Sequence, residues 1–170
     1  ATLYLLMTLS IVILQTNKPR DATACLAALS KAELSNPTEI LVINNGKHLA
    51  NDAIDPESYA TLPNVKFFDL GKDGYVRGNN IGYAHATGKY IATVNADITV
   101  QPDTIMKLVE HLEQNPDVGI VAPRLIYPDG HEQDSARPFP RPFEMVLRRL
   151  VRPNGRKQAR VEFAEKDHED

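Results

Sequence analysis

The sequence Leu-Ser-Ile-Val-Ile-Leu at positions 9–14 decides the fold class. A short, continuous apolar run rich in β-branched residues is typical of a strand buried on both faces, as in parallel sheets covered by helices. The polar sequence Gln-Thr-Asn-Lys-Pro follows at positions 15–19. Pro19 and Asp21 then predict the start of a helix, because proline and acidic residues suit the first turn.

The same alternation continues along the chain. Further strands are predicted at residues 39–43, 65–70, 90–94 and 118–122, and further helices at residues 78–87, 102–115 and 142–151. Residues 47–64 predict a loop with a short helix, and residues 127–130 predict a turn. Alternating strands and helices indicate an α/β fold, Rossmann-like, with a mostly parallel sheet flanked by helices. Ligands of such folds bind at the carboxyl ends of the strands.

Length and composition restrict the function. A chain of 170 residues suits one domain, and its only cysteine, Cys25, excludes a disulfide framework and a multi-cysteine zinc site. The formal net charge of −3 argues against nucleic-acid binding by the chain as a whole. Residues 137–160 nevertheless carry a net charge of +7, whereas the other residues sum to −10. This asymmetry predicts an anionic partner for the basic segment. The apolar run at residues 3–14 is too short to span a bilayer and lacks the features of a secretory signal.

Five segments carry a family resemblance when they are taken in order. They are residues 10–19, residues 39–46 ending in Asn-Asn-Gly, residues 74–82 (Gly-Tyr-Val-Arg-Gly-Asn-Asn-Ile-Gly), residues 86–103 with Asn-Ala-Asp at 95–97, and residues 123–137. Together they resemble family 2 glycosyltransferases of the GT-A fold, especially the rhamnosyltransferase-like branch. The resemblance implies that the chain binds a nucleoside-diphosphate sugar, either a dTDP- or a UDP-sugar.

The resemblance also implies a set of site residues. Those implied to bind the nucleotide sugar are Gln15, Thr16, Asn17, Asn44, Arg77, Gly78, Asn79, Asn95, Ala96 and Asp97. Asp97 stands at the family's metal motif and would bind Mg²⁺ or Mn²⁺, which prefer oxygen ligands. Gln15 and Thr16 depart from the family pattern, because no tyrosine offers a flat face to the base or ribose. Each motif also has a structural alternative: a turn after a strand, or a loop-to-helix junction.

The predicted organisation is a GT-A nucleotide-sugar-binding domain at residues 1–137 and a basic amphipathic helix with a charged tail at residues 138–170. Residues 142–152 could contact anionic lipid at the membrane surface or dock on the sheet with a solvated arginine face. We therefore expect a cytoplasmic protein, peripheral at the inner face of the membrane. Nucleic-acid binding is not expected, since aromatic residues are not interleaved with these charges.

The resemblance implies an inverting, metal-dependent transfer of a sugar to an envelope polysaccharide or a lipid-linked acceptor. No general base is identified, because Glu169 and Asp170 lack the sequence context of the family's catalytic carboxylate, and the family's acceptor part would lie beyond this segment. The alternative is a truncated or non-catalytic nucleotide-sugar-binding module of the same fold. A nucleotidyltransferase fits less well, because residues 15–21 contain no glycine.

Overall fold

The computed structural model describes residues 9–16, 18–34, 37–46, 54–71 and 74–133. The chain divides into two units, Ala1–Pro123 and Arg124–Asp170. The predicted boundary at residue 137, the predicted helix at residues 142–151 and the tail lie outside the described residues and stay predictions.

The first unit contains the predicted alternation of strands and helices. Its elements are β1 (Leu9–Gln15), α1 (Pro19–Leu29), β2 (Thr38–Asn44), a 3-10 helix (Pro56–Ser58), β3 (Val65–Asp69), α2 (Tyr75–His85), β4 (Tyr90–Asn95) and α3 (Thr104–Gln114). The four strands form one parallel sheet in the order β3-β2-β1-β4. The α/β fold with a parallel sheet flanked by helices is therefore confirmed.

The burial of the strands follows from their places in the sheet. Every residue of the central strands β1 and β2 is buried, whereas β3 and β4 are only partly covered. Alternate residues of β1 face opposite sides, as the pleat requires. Ile11 and Ile13 belong to a core shared with α1 and α3, and Val12 and Leu14 belong to a smaller core with Leu41 and Ile43 of β2. The continuous apolar runs in the sequence thus correspond to strands covered on both faces.

Helix α2 starts three residues earlier than predicted. Gly74 precedes it with a φ of 86°, a conformation that a residue without Cβ adopts readily. Asn79 and Asn80 therefore lie one turn inside the helix. Gly78 lies inside the helix, and its φ is not positive.

The predicted fifth strand at residues 118–122 is wrong. Within the described residues these positions have no strand structure, and the Ile120 side chain is 90% exposed. A strand needs a hydrogen-bonded neighbour, and the described ladders run only among β1, β2, β3 and β4. The apolar pattern of residues 118–122 resembles that of a strand, but among the described residues no neighbouring strand pairs with it.

A buried carboxylate joins three segments at the amino ends of the strands. Glu39 of β2 accepts hydrogen bonds from the Ser10 hydroxyl at 2.7 Å, from the Thr87 backbone N–H at 2.8 Å and from the Thr87 hydroxyl at 2.7 Å. Its second oxygen accepts from Lys66 Nζ at 3.0 Å. This network lies at the end of the sheet opposite the carboxyl ends of the strands, where a ligand is expected.

The second unit is described at residues 124–133. The predicted turn is confirmed, since the Gly130 N–H donates to the Tyr127 carbonyl at 2.9 Å. An antiparallel bridge joins Ile126 and Glu132, and Arg124 Nη1 donates to Glu132 Oε1 at 2.6 Å. Across the described residues of the whole chain, no helix combines the length and the apolar character needed to cross a bilayer.

Candidate functional site

A cavity of about 170 Å³ opens at the carboxyl ends of β1 and β4. Its walls are formed by Leu14, Thr16, Lys18, Asp21, Tyr75, Asn95, Ala96 and Asp97. The parallel register places Leu14 beside Asn95, which brings the two distant segments together. Four residues predicted from the sequence therefore meet here: Thr16 from the first segment, and Asn95, Ala96 and Asp97 from the second.

Asp97 is exposed in the cavity wall directly after β4. The Ile98 N–H donates to the Asn95 carbonyl at 3.2 Å, which closes the turn that carries Asp97. Cys25 of α1 lies below, and its Sγ donates to the same carbonyl at 4.0 Å. Burial raises the pKa of Cys25 to about 12, and the negative charge of Asp97 adds to the effect. Cys25 is fully buried in the core.

Asn95 is held by a tyrosine of α2. The Tyr75 hydroxyl donates to Asn95 Oδ1 at 3.1 Å. The amide oxygen is thus engaged within the protein, and the amide nitrogen is the part of Asn95 that suits an incoming oxygen atom. As a result, Asn95 is better placed to donate to a ligand than to coordinate a cation.

The donor set fits a cation that takes most of its ligands from elsewhere. Asp97 and Asp21 are the carboxylates of the cavity wall, and Asp21 Oδ2 lies 3.6 Å from Lys18 Nζ. Among the described residues, no group of three or more His, Cys, Asp or Glu side chains could hold a metal ion by itself. Mg²⁺ usually keeps several waters and binds through one or two carboxylates plus phosphates of the substrate. One carboxylate beside a diphosphate therefore suits Mg²⁺ or Mn²⁺.

Asn44 and Gln15 end neighbouring strands but do not line the cavity. Asn44 is buried, its Nδ2 donates to Asp69 Oδ1 at 3.4 Å, and its Oδ1 accepts from the Gly46 N–H at 3.3 Å. The Asn-Asn-Gly turn anticipated as a structural alternative is therefore present. Gln15 is 1% exposed, and neither atom of its side-chain amide has a hydrogen-bond partner. Asn17 lies outside the described residues.

The three site residues predicted on α2 also lie away from the cavity wall. Gly78 faces the sheet, where a Cβ would meet Leu14. Asn79 is buried beside it, and its Nδ2 donates to the Tyr75 carbonyl at 3.1 Å. Arg77 is exposed on the helix. In this structure Gly78 and Asn79 position the helix that carries Tyr75.

Besides the apolar Leu14 of β1, three cavity residues were not singled out in the sequence as ligand-binding. Lys18 and Asp21 lie at the start of α1, and Tyr75 begins α2 directly after Gly74. Lys18 and Tyr75 stand in segments that carry the family resemblance, and Asp21 follows the first of these segments. The signal that could have found them is their position immediately after a strand or at the start of a helix, where side chains face the ligand edge of an α/β sheet.

Residues 10–165 match the sequence family described as "Glycosyl transferase family 2". The chain belongs to glycosyl transferase family 2. A curated relative from Sinorhizobium fredii, named "N-acetylglucosaminyltransferase", is 29% identical over 93 residues. That alignment covers 53% of this chain and 22% of the relative.

Solved structures of Staphylococcus aureus TarS share the family 2 fold. TarS 1–349 has a TM-score of 0.57 at 19% identity, covering 65% of this chain and 33% of that one. The same TarS segment in complex with UDP has a TM-score of 0.55 at 18% identity, with the same coverage. In complex with UDP-GlcNAc, the TM-score is 0.54 at 19% identity, covering 65% of this chain and 32% of TarS. This chain thus spans about a fifth to a third of the length of these relatives, and the likeness confirms the GT-A fold.

Proposed function

We propose that the cavity binds the diphosphate and neighbouring groups of a nucleoside-diphosphate sugar, and that the protein transfers the sugar to an acceptor. The observation that carries the proposal is the meeting of Thr16 with Asn95, Ala96 and Asp97 around one cavity. These residues come from two of the segments that resemble the family, about 80 positions apart in the sequence. Membership of glycosyl transferase family 2 supports the reaction class.

A uridine donor is the first to test. The S. fredii relative is named an N-acetylglucosaminyltransferase, and TarS was solved with UDP and with UDP-GlcNAc. These names support UDP-GlcNAc ahead of a dTDP-sugar. The rhamnosyltransferase-like branch stays a prediction from the sequence.

Three polar residues of the cavity have a chemical role in this proposal: Asp97, Lys18 and Asn95. Asp97 would hold Mg²⁺ or Mn²⁺, and such an ion supplies positive charge beside the diphosphate that leaves. Lys18 contributes a second positive charge from the opposite segment and can shift from Asp21 to a phosphate oxygen. The Asn95 amide donates to a donor oxygen. Together these groups favour departure of the nucleoside diphosphate by electrostatic stabilisation.

The transfer is proposed to invert the anomeric centre, as the acceptor hydroxyl attacks from the face opposite the leaving diphosphate. Within the described residues we assign no general base, since the cavity carboxylates Asp97 and Asp21 face the proposed cation and Lys18. The proposed acceptors are an envelope polysaccharide or a lipid-linked saccharide. The basic residues 142–152 would keep the protein at an anionic membrane surface.

The decisive experiment measures UDP binding by calorimetry with Mn²⁺ and with a chelator. Asp97→Asn removes the charge that holds the cation, so we expect roughly tenfold or greater weakening of UDP binding in Mn²⁺. With the chelator the variant should match the wild type. Asp117→Asn, an exposed acidic position outside the cavity, is the control and should bind as the wild type does. Wild-type affinity that is identical with Mn²⁺ and chelator would contradict metal dependence, and no binding at all would contradict the function.

A further inference from the structure

Two tyrosines connect α2 to β4 in the same way. The Tyr75 hydroxyl donates to Asn95 Oδ1 at 3.1 Å, and the Tyr83 hydroxyl lies 3.0 Å from Thr93 Oγ1. The two rings are similarly exposed, at 56% for Tyr75 and 40% for Tyr83. Only Tyr75 lines the cavity. Comparing the two tyrosines therefore distinguishes a hydrogen bond that only joins α2 to β4 from one that is also made at the ligand cavity.

We propose that Tyr75 positions the nucleotide sugar: its hydroxyl orients the Asn95 amide, and its ring forms the flat wall for the nucleoside. This inference rests on the proposed function and adds a residue to it. A side-chain amide can present either its oxygen or its nitrogen to a ligand. Because the hydroxyl engages Oδ1, the two hydrogens on Nδ2 are left to donate to oxygen atoms of the ligand.

The Tyr75 ring supplies a flat surface that the residues at the end of β1 do not provide. Thr16 occupies the cavity wall after β1 and provides a methyl and a hydroxyl, with no flat surface. Tyr75 is the aromatic residue among the described residues of the wall. An aromatic ring stacks on any base, with little dependence on which base it is, and this suits a nucleoside at this position. Its exposed face is thus available to a ligand while the hydroxyl remains bonded to Asn95.

The test compares UDP dissociation constants in Mn²⁺ for Tyr75→Phe, Tyr75→Ala and the matched control Tyr83→Phe. Tyr75→Phe keeps the ring and loses the hydroxyl, so binding should weaken roughly 2- to 12-fold, the equivalent of one net hydrogen bond. Tyr75→Ala also loses the ring and should weaken binding by a further factor of roughly 5 to 150. Tyr83→Phe should bind UDP as the wild type does, although both phenylalanine variants lower the melting temperature similarly.

A double-mutant cycle with Asn95→Ala tests whether the hydroxyl acts through the amide. If it does, Tyr75→Phe should cost no further affinity once Asn95 is alanine. Full additivity, or equal weakening by Tyr75→Phe and Tyr83→Phe, would overturn the positioning role. Inorganic pyrophosphate serves as the second probe: its affinity should be the same in Tyr75→Ala and Tyr75→Phe, because it lacks the nucleoside that would meet the ring. A wild-type protein that fails to bind UDP would overturn the proposed function as well, whereas equal UDP binding by all variants would overturn the role of Tyr75 alone.

Discussion

Glu39 is a charged residue whose side chain has no contact with solvent. Burial by itself would raise the pKa of this carboxyl. Hydrogen bonds from the Thr87 backbone and hydroxyl, from Ser10 and from Lys66 outweigh that effect and lower the pKa from 4.5 to about 2. The folded protein therefore holds the carboxylate charged under conditions in which the unfolded chain would protonate it.

The stability contributed by Glu39 should consequently depend on pH. It is fully present above pH 4.5 and is lost as the pH falls from 4.5 towards 2, because the unfolded state then binds a proton that the folded state excludes. Glu39→Gln should lower the free energy of unfolding at pH 7 by roughly 2–3 kcal/mol and should flatten this acid-side slope. Urea unfolding between pH 2 and pH 7 measures both effects. The comparison is Glu113→Gln: the exposed Lys89 ammonium also lowers the pKa of Glu113, but solvent screens this pair, so the slope should flatten far less than in Glu39→Gln.

At this scale the sequence predicted half of the cavity wall. Thr16, Asn95, Ala96 and Asp97 were expected there because residues that follow parallel strands share one edge of the sheet. Tyr75 could not be placed, because its direction depends on the angle at which α2 crosses the sheet. The buried position of Asn44 could not be predicted either, because Asp69 and Gly46 contact its side chain only in the folded chain.

Among the elements, α2 packs against the sheet through glycines that leave no room for a Cβ. A Cβ at Gly82 would collide with Val12, and a Cβ at Gly78 would collide with Leu14. Just beyond the helix, a Cβ at Gly88 would lie 2.6 Å from the Ser10 backbone nitrogen. Backbone atoms of a central strand cannot move aside as a flexible side chain can.

We therefore expect Gly88→Ala to destabilise the protein by roughly 3 kcal/mol, through overpacking against β1. Gly82→Ala should cost less, because the Val12 side chain can shift in part. Gly119→Ala is the matched control, since nothing lies within 4 Å of its Cβ position, and the change should stay within about 0.5 kcal/mol. Denaturant unfolding followed by circular dichroism gives the three values. A Gly88 variant as stable as the Gly119 variant would refute this account of the packing.

All four strands of the sheet were predicted to within one residue at each end. This holds for the fully buried β1 and β2 and for the partly covered β3 and β4, because apolar and β-branched residues recur in each of them. The start of α2 was missed, since the residues of its first turn before Gly78 are exposed and give no pattern of buried apolar residues. The run at residues 118–122 was misread because its composition is that of a strand, while strand formation also depends on a pairing partner elsewhere in the chain.

At the scale of the whole molecule, the reactivity of the Cys25 thiol indicates whether the first unit is folded. It is the chain's only cysteine and is fully buried between α1 and the sheet, with its pKa raised to about 12. A thiol in this state is neither accessible nor ionised, so it should react with a thiol reagent only after the unit opens. We expect labelling in native buffer to be at least 100-fold slower than in denaturant, and UDP with Mn²⁺ to slow it further by stabilising the folded state. Labelling as fast in native buffer as in denaturant would contradict the buried placement.

The strand order β3-β2-β1-β4 has a consequence for how the protein is made. β1 leaves the ribosome first, yet one of its two neighbours, β4, is completed only at residue 95. At ordinary synthesis rates this interval is several seconds, during which a flank of the most apolar strand lacks its final partner. During this period the unpaired edge of β1 can pair with strands of other chains. The cavity lies at the carboxyl ends of β1 and β4, so it forms last.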